Sequence, residues 1–117
     1  MVGNQAVVPM GEYLIVWRVN ARQQYLRHLS YALQEFGAKA FYHWVESIKE
    51  MEAHLRENPK AYSLVPQLIG KRHEYRGCIV MENFKVVYTY DDRRKVINIV
   101  TIWDMRMNPQ KLVNRLK

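Results

Sequence analysis

What this chain lacks narrows its possibilities first. Its 117 residues include one cysteine, Cys78, so no internal disulfide can form and a disulfide-stapled secreted scaffold is excluded. The longest strongly apolar run is Tyr13-Leu14-Ile15-Val16-Trp17, far short of the roughly 20 residues that cross a bilayer as a helix. No basic patch followed by an apolar stretch opens the chain, so no secretion signal is expected. A cytoplasmic protein with no membrane partner is the reading that follows. There is no internal repeat, low-complexity tract or interdomain linker. His43 and His54 would lie ~16 Å apart along a helix, too far to share a metal. No metal and no cofactor is expected.

Acid is in short supply as well. Asp and Glu total 11 against 18 Lys and Arg, a formal net charge of +7. Such a surplus favours an anionic partner: nucleic acid, an acidic membrane face or an acidic protein segment. It also serves solubility. Hydrophobic residues make up 49% and charged residues 25%, as in an ordinary globular protein. The length suits one domain with its own core.

Residues 1–11, with Pro9 and Gly11 and no periodicity, read as a flexible leader before a single domain over 12–117. The segment YLIVWR reads as a first strand. Asn20 and Gln23 have capping-box spacing and predict the start of a helix. Tyr25, Leu26, Leu29, Leu33 and Phe36 recur along it at helical spacing. Gly37 ends that helix, and a second follows at once, with Phe41, Trp44, Val45, Ile48, Met51 and Leu55 as its apolar stripe. Pro59 stops it. In the connection 58–70, Leu64, Val65, Leu68 and Ile69 are expected to tuck against the core. Three strands are predicted over 73–82, 84–90 and 95–105, joined by turns at Glu82-Asn83 and Asp91–Arg94. Asn108-Pro109 predicts the N-cap and first residue of a short last helix over 109–116.

Turn positions set strand register, and register sets faces. With Glu82 and Asn83 central in their turn, Met81 pairs with Phe84 and Arg76 faces Thr89. One face then carries Tyr75, Gly77, Ile79, Met81, Phe84, Val86, Tyr88, Tyr90, Ile97, Ile99 and Trp103, and a helical hairpin must cover it. The other carries Arg76, Cys78, Val80, Lys85, Val87, Thr89, Asn98, Val100, Ile102 and Asp104, with Arg106 beyond. Arg76, Lys85 and Arg106 would thus converge from three adjacent strands. Two readings of that face stay open. It is a seat for a phosphate chain, or a solvated face on which long cationic stems cover apolar neighbours.

The segments YRGCIVMENFKVVYTYDD and VINIVTIWDMRMNPQKL, with PQLIG ahead of them, resemble RelE/ParE toxins of bacterial toxin–antitoxin pairs. The resemblance rests on order and spacing: a Tyr-Arg strand, a turn, an aromatic–basic strand, then a last strand ending in a basic residue. It covers residues 12–116. It implies an α+β fold, β-α-α-β-β-β-α, with an antiparallel sheet and a helical hairpin packed on one face. It implies a cognate antitoxin with an acidic segment. RelE-like members cut ribosome-bound mRNA without a metal; ParE-like members poison DNA gyrase.

Metal-free RNA cleavage needs an acceptor for the 2′ proton, a donor for the leaving oxygen, and cations for the charge that develops on phosphorus. On the RelE pattern Arg76 and Lys85 fall at positions usually basic in the catalytic site, and Arg106 near a third. These three are the catalytic candidates. The acid and base are harder to find. Residues 106–117 hold no Tyr or His, and Gln67 stands where the family often has a glutamate. The nearest alternatives are His73, Glu74, Glu82 and Asp104. Cys78 has no histidine partner in the sequence pattern and reads as a structural thiol. A toxin acting as an mRNA endoribonuclease is therefore expected. The alternatives are a ParE-like gyrase inhibitor, a non-toxic nucleic-acid-binding module, and a scaffold for one acidic peptide.

Overall fold

The computed structural model describes residues 12–116; the leader expected over 1–11 lies outside them. Strand β1 (Leu14–Trp17) leads directly into α1 (Val19–Phe36), α2 (Ala38–Glu57) and a 3-10 turn at Pro66–Leu68. Then come β2 (Arg76–Val80), β3 (Phe84–Asp91), β4 (Val96–Asp104) and α3 (Pro109–Arg115). The element order is the expected one. The sheet order is β1-β4-β3-β2. Its last three strands are antiparallel, but β1 runs parallel to β4, so the sheet is mixed rather than antiparallel throughout. A strand followed by a crossover of two helices returns in parallel for the usual reason: the crossover must lie over one face.

The two helix boundaries with strong local chemistry fall where the sequence puts them. Gly37 takes φ 90°, closes α1 through its N–H on the Leu33 carbonyl, and opens α2. Asn58 closes α2 just before Pro59, its N–H bonded to the His54 carbonyl. The α2 stripe is core: Trp44, Ile48, Met51 and Leu55 are buried, each contributing about 1.5–3 kcal/mol of apolar transfer. Asn108 caps α3 by accepting the Gln110 N–H.

The start and face of α1 differ from expectation. The helix begins at Val19, one residue before the expected capping box of Asn20 and Gln23, and Arg18 is its N-cap with no side-chain bond. The Arg18 N–H is already taken by the Ile99 carbonyl as β1 ends, so the chain turns into the helix from the sheet itself. The face pressed on the sheet is Ala21, Tyr25, Leu29 and Ala32. Leu26, Leu33 and Phe36 are exposed. In the connection, Val65 and Leu68 are buried, while Leu64 and Ile69 face solvent.

The β2–β3 turn lies one residue earlier than expected. Met81 and Glu82 both take positive φ, and Val80 pairs with Phe84, so Arg76 pairs with Tyr88. A one-residue slip turns every β2 side chain over relative to β3. Cys78 and Val80 therefore lie under the helices beside Val86 and Tyr88. Gly77 and Ile79 go to the far face, where Ile79 is exposed.

A second irregularity sits in β4. Tyr88 pairs with Ile99 but Val87 with Thr101, which leaves Val100 as the extra residue of a bulge. Beyond it the faces invert. Ile102 joins the helix-side core, and Trp103, expected there, packs on the far side. The bulge has a partner on α1. β1 stops at Ile99, so the upper edge of β4 has no strand beside it. The Gln24 side-chain oxygen fills in, accepting the Ile102 N–H at 2.8 Å and the Thr101 hydroxyl at 3.1 Å. The far face is not left to water either. Val65, Leu68 and Leu112 pack on Tyr75, Val87, Val100 and Trp103.

Candidate functional site

The three cations singled out from the sequence do not converge, and the slipped register is the reason. Lys85 lies on the far face, half-buried, with its stem across Gly77: a Cβ there would sit 2.6 Å from Lys85 Cγ. Arg76 and Arg106 lie on the helix side, at opposite ends of the sheet. Arg76 is level with Tyr88, and Arg106 stacks on Phe84 four residues along β3, a separation of ~13 Å.

Arg76 is an internal tie. Its side chain is 15% exposed; Nη1 donates to the Tyr62 carbonyl at 2.9 Å and Nη2 to Glu74 at 3.4 Å. Its Nε is buried with no hydrogen-bond partner among the described residues. Close by, the Tyr88 hydroxyl donates to the Pro59 carbonyl, and Tyr62 meets His54 Nδ1 at 3.0 Å. These bonds knit residues 58–63 to the sheet. Burial pushes the Tyr62 and Tyr88 hydroxyls well above the usual tyrosine range, and it pushes the Cys78 thiol up too. None of the three is poised for proton transfer or nucleophilic attack near neutrality.

Two clefts gather chemistry instead. One crosses the far face where β3 and β4 run side by side. It is lined by Arg18, His73, Glu74, Thr89, Asp91 and Asn98 and encloses about 430 Å³. His73 and Glu74 were among the nearest acid–base candidates in the sequence. Arg18 was not, because only the parallel placement of β1 brings it across the sheet.

The other cleft opens between α1 and the end of the sheet where β3 begins and β4 finishes. Arg27, His28, Tyr31, Phe84, Asp104 and Arg106 line its space of about 540 Å³. Arg106 Nε and Nη2 donate to the two Asp104 carboxylate oxygens, each at 2.9 Å. Those hydrogen bonds hold Asp104 below the ordinary carboxylate range and raise Arg106. The guanidinium lies over Phe84 at 5.5 Å. His28 stacks on Trp44 at 5.1 Å with 6° between planes, and meets Phe84 at 4.6 Å. Burial pulls His28 below its usual range, Asp104 pulls the other way, and Arg27 adds to the lowering. No sequence signal marked His28 or Arg27. Their meeting with Arg106 depends on the β4 bulge.

At the opposite end, the Tyr13 hydroxyl donates to Asp92, and this bond pushes Tyr13 up to about 12. Lys95 Nζ sits over the Tyr13 ring at 4.7 Å. That cluster fastens β1 to the β3–β4 turn. Among the described residues no group of His, Cys, Asp and Glu has the arrangement of a metal site. No helix there is long and apolar enough to cross a membrane.

The mixed sheet, helical hairpin and short last helix together define a RelE/ParE-like α+β fold. No family model matches the chain, and no curated protein matches it by sequence. Among solved structures it is similar to a chain of the chromosomal ParDE TA system from P. aeruginosa. The two are 15% identical, the match covers 80% of this chain and 97% of that one, and the TM-score is 0.61. At that identity the likeness is one of fold.

Proposed function

We propose that this protein is the toxin half of a toxin–antitoxin pair and that it arrests growth by poisoning DNA gyrase, without cleaving RNA through Arg76, Lys85 and Arg106. The observation that carries this reading is the dispersal of those three side chains. One is sequestered as a structural tie, one is on the far face apart from the other two, and one is neutralised by Asp104. A preorganised cluster of cations is what phosphoryl-transfer catalysis requires. The fold shared with a chain of a ParDE system supports the toxin–antitoxin reading.

The antitoxin would seat its apolar residues along the helical hairpin. There Trp17, Tyr25, Leu26 and Val45 line a groove of about 390 Å³ rimmed by Arg22, Lys49 and Glu52. Exposed apolar surface of this kind marks interaction sites, and the net positive charge of the rim, two cations against Glu52, suits an acidic segment.

Induced expression with two readouts tests the target: gyrase supercoiling, and mRNA cleavage on programmed ribosomes. Growth arrest with lost supercoiling and intact mRNA is the expected result. Cleaved mRNA with normal supercoiling would overturn the gyrase reading. Unimpaired growth at high soluble yield would overturn the toxin reading.

A second reading has one observation in its favour. The far-face cleft brings a histidine, a glutamate and an arginine together, the group types that metal-free cleavage of ribosome-bound mRNA needs. If that reading holds, His73→Ala removes both toxicity and mRNA cleavage while the protein stays folded.

A further inference from the structure

Arg106 is paired in a way that leaves one of its two flat faces unused. Two hydrogen bonds of 2.9 Å to Asp104 fix the guanidinium along one edge, and Phe84 backs it at 5.5 Å. Even so, its side chain remains 62% exposed. The result is a rigid, planar, cationic shelf at the wall of the cleft between α1 and the sheet. Tyr31 stands on the same cleft, 60% exposed. Arg27 lines it too and makes no ion pair with another described residue. Arg27 and Arg106 against Asp104 leave one net positive charge.

We propose that this cleft binds single-stranded nucleic acid, stacking a base on the Arg106 guanidinium and the Tyr31 ring and holding the adjoining phosphate with Arg27. The inference is independent of the target proposed above and concerns a different surface from the far-face cleft. Unpaired bases stack on arginine planes and aromatic rings whatever their sequence. The volume of about 540 Å³ falls in the range that accommodates such a ligand. The floor suits a base as well. The Trp44–His28–Phe84 stack makes it aromatic, and the half-buried imidazole presents a donor or acceptor to a base edge. An acidic peptide is the competing occupant, and the test separates it. A carboxylate seeks the in-plane N–H groups of arginine, and Asp104 already occupies Nε and Nη2 of Arg106. Asp104 takes two of the five N–H groups of Arg106; the outer face of the plane stays open beside the rest, and a face recognises a ring.

The test uses the intact protein and fluorescently labelled short oligouridylate and oligothymidylate, with binding followed by anisotropy across a salt series. A polyglutamate peptide serves as competitor. Both oligonucleotides should bind; oligodeoxyuridylate, which differs from oligouridylate only at the sugar, reports whether the 2′-hydroxyl contributes. Tyr31→Ala should weaken binding about tenfold with the salt slope unchanged, because it removes stacking and no charge. Arg106→Lys keeps the charge and loses the plane, and should behave in the same way. Arg27→Ala should lower the salt slope by about one, because it removes one phosphate contact. Tyr31 and Arg27 are exposed, so melting curves should stay unchanged for their variants. Wild-type affinity in all three variants would overturn the proposal. So would absence of binding at low salt, or displacement of the oligonucleotide by polyglutamate at comparable concentration.

Discussion

Arg76 and Arg106 make an instructive pair. Each has a carboxylate two residues before it, Glu74 and Asp104, and each forms an ion pair with that carboxylate. Each lies on the helix side of the sheet. Yet their circumstances are opposite. The Arg76 side chain is 15% exposed and is anchored on a backbone carbonyl across the connection from α2. That of Arg106 is 62% exposed, and both its hydrogen bonds go to the carboxylate beside it. Arg76 thus acts on the fold and Arg106 offers a surface. The difference arises from where each leaves the sheet. Arg76 opens a strand overhung by residues 58–63, whereas Arg106 follows the last strand into open solvent.

The comparison can be broken most decisively at Arg76. Arg76→Ala removes a charged, largely buried donor and leaves the Tyr62 carbonyl without it. It should cost about 1.5–3 kcal/mol, the range for hydrogen bonds to charged groups. Chemical denaturation measures this, and a loss below half a kcal/mol would reduce Arg76 to an ordinary surface cation.

Next in size is a test of the register that puts Arg76 under the helices. The same register puts Gly77 beneath Lys85, where an added Cβ would meet Lys85 Cγ at 2.6 Å and Val65 Cγ2 at 3.1 Å. Gly77→Ala should cost about 1–2 kcal/mol through overpacking, and Lys85→Ala in the same chain should restore part of it. A neutral Gly77→Ala would show that the far face is looser than the packing indicates.

At the Arg106 end the effects are smaller and appear in pH dependence. Burial holds His28 below its ordinary value. The unfolded chain therefore takes up a proton at this residue before the folded one does, and stability falls as pH drops through the usual histidine range. Melting temperatures from pH 7 to pH 5 should decline in the wild type and decline less in His28→Phe. Identical slopes would remove the imidazole from the account.

The smallest expected effect is that of the Asp104–Arg106 pair itself. Asp104 is depressed in the folded state. Its contribution is therefore present above the ordinary carboxylate value and lost as pH falls through the lower folded one. Solvent screening keeps exposed pairs weak. Asp104→Asn should lower the melting point slightly at pH 7 and converge with the wild type in acid. A gap that widens in acid would reverse the assignment.

Local chemistry alone determined a good deal of this protein. Gly37 and Pro59 bound the helices because a positive-φ turn and a proline ring's clash with the residue before it act on immediate neighbours, whatever the rest of the chain does. The α2 stripe was legible because four apolar side chains one turn apart have a single way to hide. The order of elements, the lone unreactive thiol and the cap at Asn108 were readable for the same reason. Tertiary structure decided the rest. The β2 register hinged on one residue at a turn where Met81, against its preference, takes positive φ. The β4 inversion hinged on Gln24, 78 residues from the Ile102 amide it satisfies. The face of α1 was settled by the sheet it lies on, not by its own pattern of leucines. Whether three basic residues form one site or none is a question of parity, and parity is fixed by pairing between strands, which a residue's neighbours in sequence do not encode.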